Sequence, residues 1–239
     1  MKILICDKLD NKVINNLSGL GSVVDISSQE KKSLIEEEIV DASIVIIRSS
    51  TIITKDLIES SKKLKIIARA GVGVDNIDIQ AATNRNIYVV NAPLSNVVSA
   101  AELTVGLILA VARNIVPANL SMKNSEWKRS DFMGVELFEK NLGLIGFGRV
   151  GKLVAERMSA FGVHIGIYDP YINSIEESFT QYKSLDDLLR SSDIVSLHLT
   201  KTPETIDLVS KEKLDLLKKE AIFVNTSRGG IVNEEALLK

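Results

Sequence analysis

A single cysteine stands among 239 residues. Neither a disulfide framework nor a thiolate metal site can be built from it, and a reducing compartment follows. Cys6 lies inside the apolar run Ile3–Cys6 and reads as a small buried apolar residue. Excess charge of one sign is also missing. Lys+Arg 29 against Asp+Glu 31 leave a net −2, which gives no reason to expect nucleic acid or membrane as a partner. Long apolar runs are absent too: the longest, Val97–Ala112, is interrupted by Ser99, Glu102 and Thr104 and is too short to span a bilayer. It reads as a buried helix. The first residues enter a strand pattern without the layout of a signal peptide, so a cytoplasmic location is expected. Histidine is scarce: only His164 and His198 are present, and neither has an acidic residue at a local spacing that would orient it as a general base. No metal-ligand spacing is visible.

What is present is the composition of an ordinary globular protein, 45% hydrophobic and 25% charged. The length allows one large domain or two modest ones. Short β-rich runs, Lys2–Asp7, Val23–Ile26, Ser43–Ser49, Lys65–Ala70 and Ile87–Asn91, alternate with helical patterns around Asp10–Leu17, Lys31–Val40, Thr54–Ser61 and Asn76–Asn84. Such alternation implies a parallel sheet covered by helices on both faces. Ser95–Lys123 then supports one long helix, or two broken near Pro117. A second alternation follows. Strands are expected at Leu142–Ile145, Ile165–Tyr168, Ile194–Leu199 and Ile222–Asn225, and helices at Val150–Ala160, Leu185–Arg190 and Lys211–Lys218. With the strand order 3-2-1-4, Ile222–Asn225 becomes an apolar edge, which is an association hazard.

The second alternation opens on a dinucleotide fingerprint. An apolar run ending at Ile145 enters Gly146-x-Gly148-x-x-Gly151, a helical pattern follows, and a second run ends on Asp169. Gly146 permits the tight turn, Gly148 lets a pyrophosphate approach the backbone, and Gly151 allows close helix–strand packing. The helix start offers N–H groups and partial positive charge to phosphates. Asp169 can accept hydrogen bonds from ribose hydroxyls, and its charge would repel a 2′-phosphate. The expected cofactor is therefore NAD.

Ligands in such sheets sit at the carboxyl ends of strands. Arg69 is followed there by Gly71, Val72 and Gly73, a loop of exposed N–H groups suited to a carboxylate or phosphate. The same stretch also reads as a glycine turn with Asp75 as helix N-cap. Arg48, at another strand tip, reads by itself as a surface arginine. Arg228 is flanked by Gly229 and Gly230 after the last strand and makes a good anion clamp, since a guanidinium can hold a carboxylate through two parallel bonds. His198 sits near a strand tip where it could line a nucleotide cleft; His164 reads as structural.

Segments 68–78, 90–113, 127–137, 142–151, 168–171 and 223–238 together resemble the D-isomer-specific 2-hydroxyacid dehydrogenase family, in order and over nearly the whole chain. The resemblance implies a flavodoxin-like substrate domain, 1–94, and a Rossmann NAD-binding domain, 95–239, beginning with linker helices. It implies catalysis in the cleft between the two domains. Arg228 would bind the substrate carboxylate and carbonyl oxygen, and Val72 and Gly73 would offer N–H groups to the carboxylate. Arg48, Arg69 and Asn96 match positions that contact a phosphorylated 2-hydroxy acid, and Arg129 would lie near the phosphate of a neighbouring subunit. A dianionic group in a closed cleft needs such compensating charge. Gly148, Arg149 and Val150 would contact the pyrophosphate, with Gly146, Gly151, Asp169, His198, Thr200, Thr226 and Ser227 completing the cofactor set. Many members carry proline where this chain has Thr200.

The activity implied is NAD-dependent oxidation of the C2 hydroxyl of D-3-phosphoglycerate, the first step of serine synthesis. The related activities on glyoxylate, hydroxypyruvate or D-lactate, or an inactive NAD-binding protein, are the alternatives. In the family a glutamate and an acid/base histidine follow farther along than Lys239, so the chain is expected to be a fragment that is inactive as it stands. A homodimer or higher oligomer through the Ser95–Lys123 helices is expected as well.

Overall fold

The computed structural model describes residues 1–28 and 31–238. Its internal contacts divide the chain into two units, Met1–Asn96 and Val97–Lys239.

The first unit is a five-stranded sheet of β1 (Lys2–Ile5), β2 (Ser22–Asp25), β3 (Ile44–Ile47), β4 (Ile66–Arg69) and β5 (Tyr88–Asn91). All neighbours are parallel and the order is β2-β1-β3-β4-β5, the flavodoxin-like arrangement. Helices α1 (Asn11–Ser18), α2 (Lys31–Glu38), α3 (Lys55–Ser60) and α4 (Ile79–Asn84) connect the strands. Leu4, Val45, Ile47 and Ile67 are buried beneath them with Ile39, Ile58 and Ala82. The helices begin one residue later than the apolar pattern suggests at α1 and α3, because Asp10 and Thr54 are caps whose side chains accept the Lys12 and Leu57 N–H groups. The start of α4 shifts by three residues. Ile53 N–H bonds the Asn76 carbonyl and Asp78 N–H bonds the Ile53 carbonyl, a bridge that holds 76–78 out of helical geometry. Asp78 caps α4 through the Ala81 N–H, so Asp75 is not the N-cap.

The second unit opens with α5 (Val97–Ala112) and α6 (Ile115–Lys123), which meet at a 65° bend. The break falls at Asn114, with φ 52°, and not at Pro117. Pro117 is the third residue of α6, in the first turn, where its missing N–H would have had no helical acceptor. Nor is α5 buried all round. Ala101, Thr104, Ile108 and Ala112 point inward, whereas Leu103, Leu107 and Val111 are exposed. Among the described residues no single helix is long and apolar enough to cross a membrane.

The sheet of this unit contains β6 (Asn141–Ile145), β7 (His164–Tyr168), β8 (Thr180–Gln181), β9 (Ile194–Leu197) and β10 (Ile222–Asn225), joined through α7 (Arg149–Ser159), α8 (Leu185–Ser191) and α9 (Lys211–Leu214), with α10 (Glu234–Leu237) last. Its order is β10-β9-β6-β7-β8, all parallel. The order 3-2-1-4 counted on four strands is corrected by β8. That two-residue strand, Thr180–Gln181, has no apolar run to announce it, and with it the order is that of a doubly wound 3-2-1-4-5 sheet. Ile222–Asn225 is still the edge, paired with β9 on one side. Its side chains are nonetheless packed: Ile222 and Val224 lie in one core layer, Phe223 against the other. The helix expected over Lys211–Lys218 stops after one turn. Leu216 N–H reaches the Lys213 carbonyl and Leu217 N–H the Leu214 carbonyl, the tighter three-residue spacing, which turns both leucines toward the core.

Candidate functional site

Each unit carries a polar cluster at the carboxyl ends of its strands, and each is built from local backbone demands.

In the second unit, β6 runs straight into the glycine turn. Gly146 adopts φ +92°, and a Cβ there would lie 2.6 Å from the His198 carbonyl oxygen. A Cβ on Gly151 would lie 2.4 Å from the Gly146 carbonyl oxygen, so α7 packs directly on the turn. Gly148 differs: a Cβ on it would meet nothing within 4 Å. It is also the N-cap of α7 with no side-chain cap. The first intrahelical bond is Lys152 N–H to the Gly148 carbonyl, 3.0 Å. The N–H groups of Arg149, Val150 and Gly151 thus precede the helical ladder and are directed outward from an eleven-residue helix. This is an open, positively polarised cradle of the kind a pyrophosphate fills.

Asp169 closes the other side. One carboxylate oxygen accepts the Phe147 N–H at 2.8 Å and the other the Tyr171 N–H at 2.9 Å. The carboxylate is therefore held in one orientation beside the glycine turn, with acceptor capacity left on each oxygen for a ribose diol. Those two bonds are a positioning role that the motif alone does not reveal.

His198 lies just past β9, under the turn. Its Nε2 is 3.0 Å from Ser196 Oγ, and burial lowers its pKa from 6.5 to about 4. It is a neutral wedge beneath Gly146 and Gly151. Thr200 is exposed, and its carbonyl accepts the Thr205 hydroxyl at 2.8 Å. At the tip of β10, Thr226 Oγ1 is 2.7 Å from the hydroxyl of the buried Thr104 on α5. Asn225 organises the rest: its Oδ1 accepts both the N–H (2.9 Å) and the hydroxyl (2.7 Å) of Ser227, while its Nδ2 donates to the Arg228 carbonyl at 3.0 Å. Arg228 is half-buried and one guanidinium nitrogen donates to the Ser227 carbonyl at 2.8 Å. Arg129 lies apart from these residues in the sequence, exposed in a single 3-10 turn, Arg129–Phe132, beside a cleft of about 270 Å³ lined by Trp127 and α6 residues. A cleft of about 760 Å³ runs along the Lys152, Glu156 and Ser159 stripe of α7. Its other wall is the irregular segment between β7 and β8, through Ser174, Ile175, Ser178 and Phe179.

In the first unit, Arg48, Arg69, Val72 and Gly73 are gathered at adjacent strand ends, since β3 pairs with β4. Arg69 is 8% exposed, with Nε donating to Asn76 Oδ1 at 3.0 Å. The guanidinium of Arg48 is exposed. The 72–73 loop is pinned by Asn91 Nδ2 on the Val72 carbonyl at 2.6 Å and by Ala92 N–H on the Gly71 carbonyl at 2.9 Å. The Val72 and Gly73 N–H groups have no partner among the described residues, so the loop offers two donors beside two arginines. Asn96 is exposed at the end of this unit. Among the described residues no group of three His, Cys, Asp or Glu is placed to hold a metal.

The residues the sequence reading overlooked are Asp7, Asn76, Asn91 and Asn225. Each is a short polar side chain at the end of a strand or in the loop that follows it, where backbone groups need partners. That was the available signal.

Residues 105–239 match the family model described as D-isomer specific 2-hydroxyacid dehydrogenase, NAD binding domain. The chain belongs to the D-isomer-specific 2-hydroxyacid dehydrogenase family, a class of NAD-dependent enzymes, and its cofactor is NAD. It is 46% identical over 240 residues to the D-3-phosphoglycerate dehydrogenase of Methanocaldococcus jannaschii, covering 99% of this chain and 46% of that protein. It is 40% identical to the hydroxypyruvate reductase of Thermotoga maritima, covering 99% of this chain and 77% of that one. Among solved structures, NAD+-bound 3-phosphoglycerate dehydrogenase of Entamoeba histolytica superposes with a TM-score of 0.83 at 33% identity, covering 100% of this chain and 75% of that one. NAD-dependent formate dehydrogenase of Staphylococcus aureus with NAD superposes with a TM-score of 0.90 at 33% identity, covering 100% and 77%. The chain spans about half the length of the phosphoglycerate dehydrogenases it matches, 46% in the M. jannaschii case.

Two outcomes are expected. Gly148→Val adds a side chain into space the protein leaves open, so the fold is retained while NADH binding weakens by about tenfold or more, read by NADH fluorescence titration; unchanged affinity would remove the cradle as the pyrophosphate site. For His198, an unfolded imidazole binds a proton below pH 6.5 and the folded one not until about 4. Its contribution is thus intact above pH 6.5 and lost as the pH falls toward 4, costing roughly 2–3 kcal/mol by pH 4.5. Urea titrations of wild type and His198→Gln across pH 7 to 4.5 should show that slope in the wild type alone.

Proposed function

We propose that this protein acts in the cytoplasm on D-3-phosphoglycerate, in the NAD-dependent oxidation of its C2 hydroxyl that opens serine synthesis. The observation that carries this reading is the arginine pair of the first unit, Arg48 and Arg69, on adjacent strand ends beside two unclaimed N–H groups. A monoanionic 2-hydroxy acid needs one cationic partner for its carboxylate; a phosphate on the same substrate adds charge that calls for more. Five relatives named D-3-phosphoglycerate dehydrogenase are 43% identical or above, which supports the same reading.

In this proposal Arg69, Arg48 and Asn96 take the phosphate side of the substrate, and the Val72 and Gly73 N–H groups take its carboxylate. Arg228 holds the carboxylate and the C2 oxygen. The oxygen gains carbonyl character as the hydroxyl proton is released, and a fixed guanidinium favours that polarisation. Bound NAD supplies the hydride acceptor for C2. On the cofactor side, the Arg149 and Val150 N–H groups at Gly148 receive the pyrophosphate and Asp169 the ribose. Thr226, Ser227 and Thr200 shape the rim, and His198 supports the glycine turn beneath the cofactor. Asp169 sets the preference for NAD, since its charge opposes a 2′-phosphate.

A second reading, a reductase of hydroxypyruvate, glyoxylate or D-lactate, is favoured by the T. maritima relative, of which the chain covers 77%. Calorimetric binding with NADH present separates them. On the phosphoglycerate reading the chain binds D-3-phosphoglycerate at least about tenfold more tightly than D-glycerate. Arg69→Ala then weakens the phosphorylated ligand by about tenfold and D-glycerate by less than about twofold. Equal affinity for the two ligands, or equal losses on substitution, would favour the second reading.

The exposed apolar stripe Leu103, Leu107 and Val111 on α5, continued by Val116 and Leu120 on α6, supports a homodimer through these helices. Arg129, near the end of α6, is then proposed to reach the substrate phosphate of the partner subunit. Sedimentation at micromolar concentration should give a dimer for the wild type and a monomer for Leu107→Glu. A monomeric wild type would dismiss this interface.

A further inference from the structure

The loop after β3 is clamped from both sides. The buried Asp7 carboxylate accepts the Arg48 N–H at 2.6 Å, the Thr51 N–H at 3.3 Å and the Thr51 hydroxyl at 3.0 Å, with the Ser50 hydroxyl on the same carboxylate. Opposite it, Asn76 Nδ2 donates to the Arg48 carbonyl at 2.7 Å and to the Thr51 carbonyl at 2.5 Å. Both backbone groups of Arg48 and of Thr51 are therefore held by side chains. The remaining polar atom of Asn76, Oδ1, accepts the Arg69 Nε–H at 3.0 Å. One amide thus touches the backbone of one arginine and the guanidinium of the other. Gly71 leaves room for the Arg69 guanidinium in this position, since a Cβ there would lie 2.8 Å from one of its nitrogens.

A primary amide suits this junction: its two N–H donors match two carbonyls and its oxygen matches a cationic donor. Aspartate would keep the acceptor but set a carboxylate against two carbonyl oxygens. Alanine would leave three polar groups unmatched at the strand ends. The Nε bond also fixes one edge of the Arg69 guanidinium inside the protein.

Resting on the phosphoglycerate reading above, we infer that Asn76 is a positioning residue that sets Arg48 and Arg69 at a fixed separation, so that the two act together on one dianionic phosphate. It acts through the arginines and makes no substrate contact of its own. Specificity for the phosphorylated substrate then resides in a neutral amide as much as in the two charges.

The test is a double-mutant cycle on the full chain with NADH bound, using Asn76→Ala, Arg69→Ala and the double variant. Asn76→Ser, too short to span the three groups, is run in parallel. Asn76→Ala and Asn76→Ser are expected to weaken D-3-phosphoglycerate binding by about tenfold, while D-glycerate and NADH stay within about twofold. The double variant is expected to bind no more weakly than Arg69→Ala. Wild-type affinity in the Asn76 variants, losses that multiply in the double variant, or equal losses for D-glycerate would each overturn the inference, as would loss of the fold in both variants. If the wild type itself shows no preference for the phosphorylated ligand, the phosphoglycerate reading is what fails. Exchange of the Arg69 Nε–H, followed by NMR, then decides the positioning: about tenfold faster exchange in the variants upholds it, and an unchanged rate overturns it.

Discussion

A parallel strand that stops leaves its next N–H and C=O groups without neighbours, and those groups must be met by side chains when the surroundings are crowded. In this chain that demand falls on the carboxyl ends of two sheets. Asp7, Asn76 and Asn91 meet it in the first unit, Asp169 and Asn225 in the second. The loops that carry the arginines and the glycines take their shapes from these bonds. Without them the segments after β3, β4 and β10 would have no reason to hold a single conformation.

The same economy appears in the glycine turn. Gly146 and Gly151 are small because protein atoms occupy the space a side chain would need, the His198 carbonyl in one case and the Gly146 carbonyl in the other. Gly148 is small for a different reason, since the space beside it is empty of protein. Two of the three glycines therefore serve packing, and the third leaves the space beside the start of α7 open. His198 belongs with the first two. Its half-buried, uncharged ring supports the turn from below, and keeping it uncharged ties the integrity of this region to pH.

Local sequence made much of the fold readable. Strands such as Ile44–Ile47 and Ile194–Leu197 are nearly continuous apolar runs because helices cover both faces of a parallel sheet. The glycine fingerprint and Asp169 were equally plain, because their spacing is set within one βαβ unit. The misreadings share a cause. Asn76–Asp78 look helical by pattern, yet a backbone bridge to Ile53 removes them from α4. Thr180–Gln181 carry no strand signal, yet β7 offers them an edge. Pro117 looks like the breaker, yet the chain turns three residues earlier, where Asn114 can take a left-handed conformation.

What this sequence determined by itself was the succession of strands and helices, the dinucleotide turn and the supply of arginines at strand tips. Each depends on residues close together in the chain. Tertiary structure alone decided which of those residues share a partner. Asn76 reaches Arg48, 28 positions earlier, and Phe147 reaches Asp169, 22 positions later. Separations of that kind are set by which strands lie side by side, and a strand's neighbours are chosen by the packing of the whole sheet and not by its own residues.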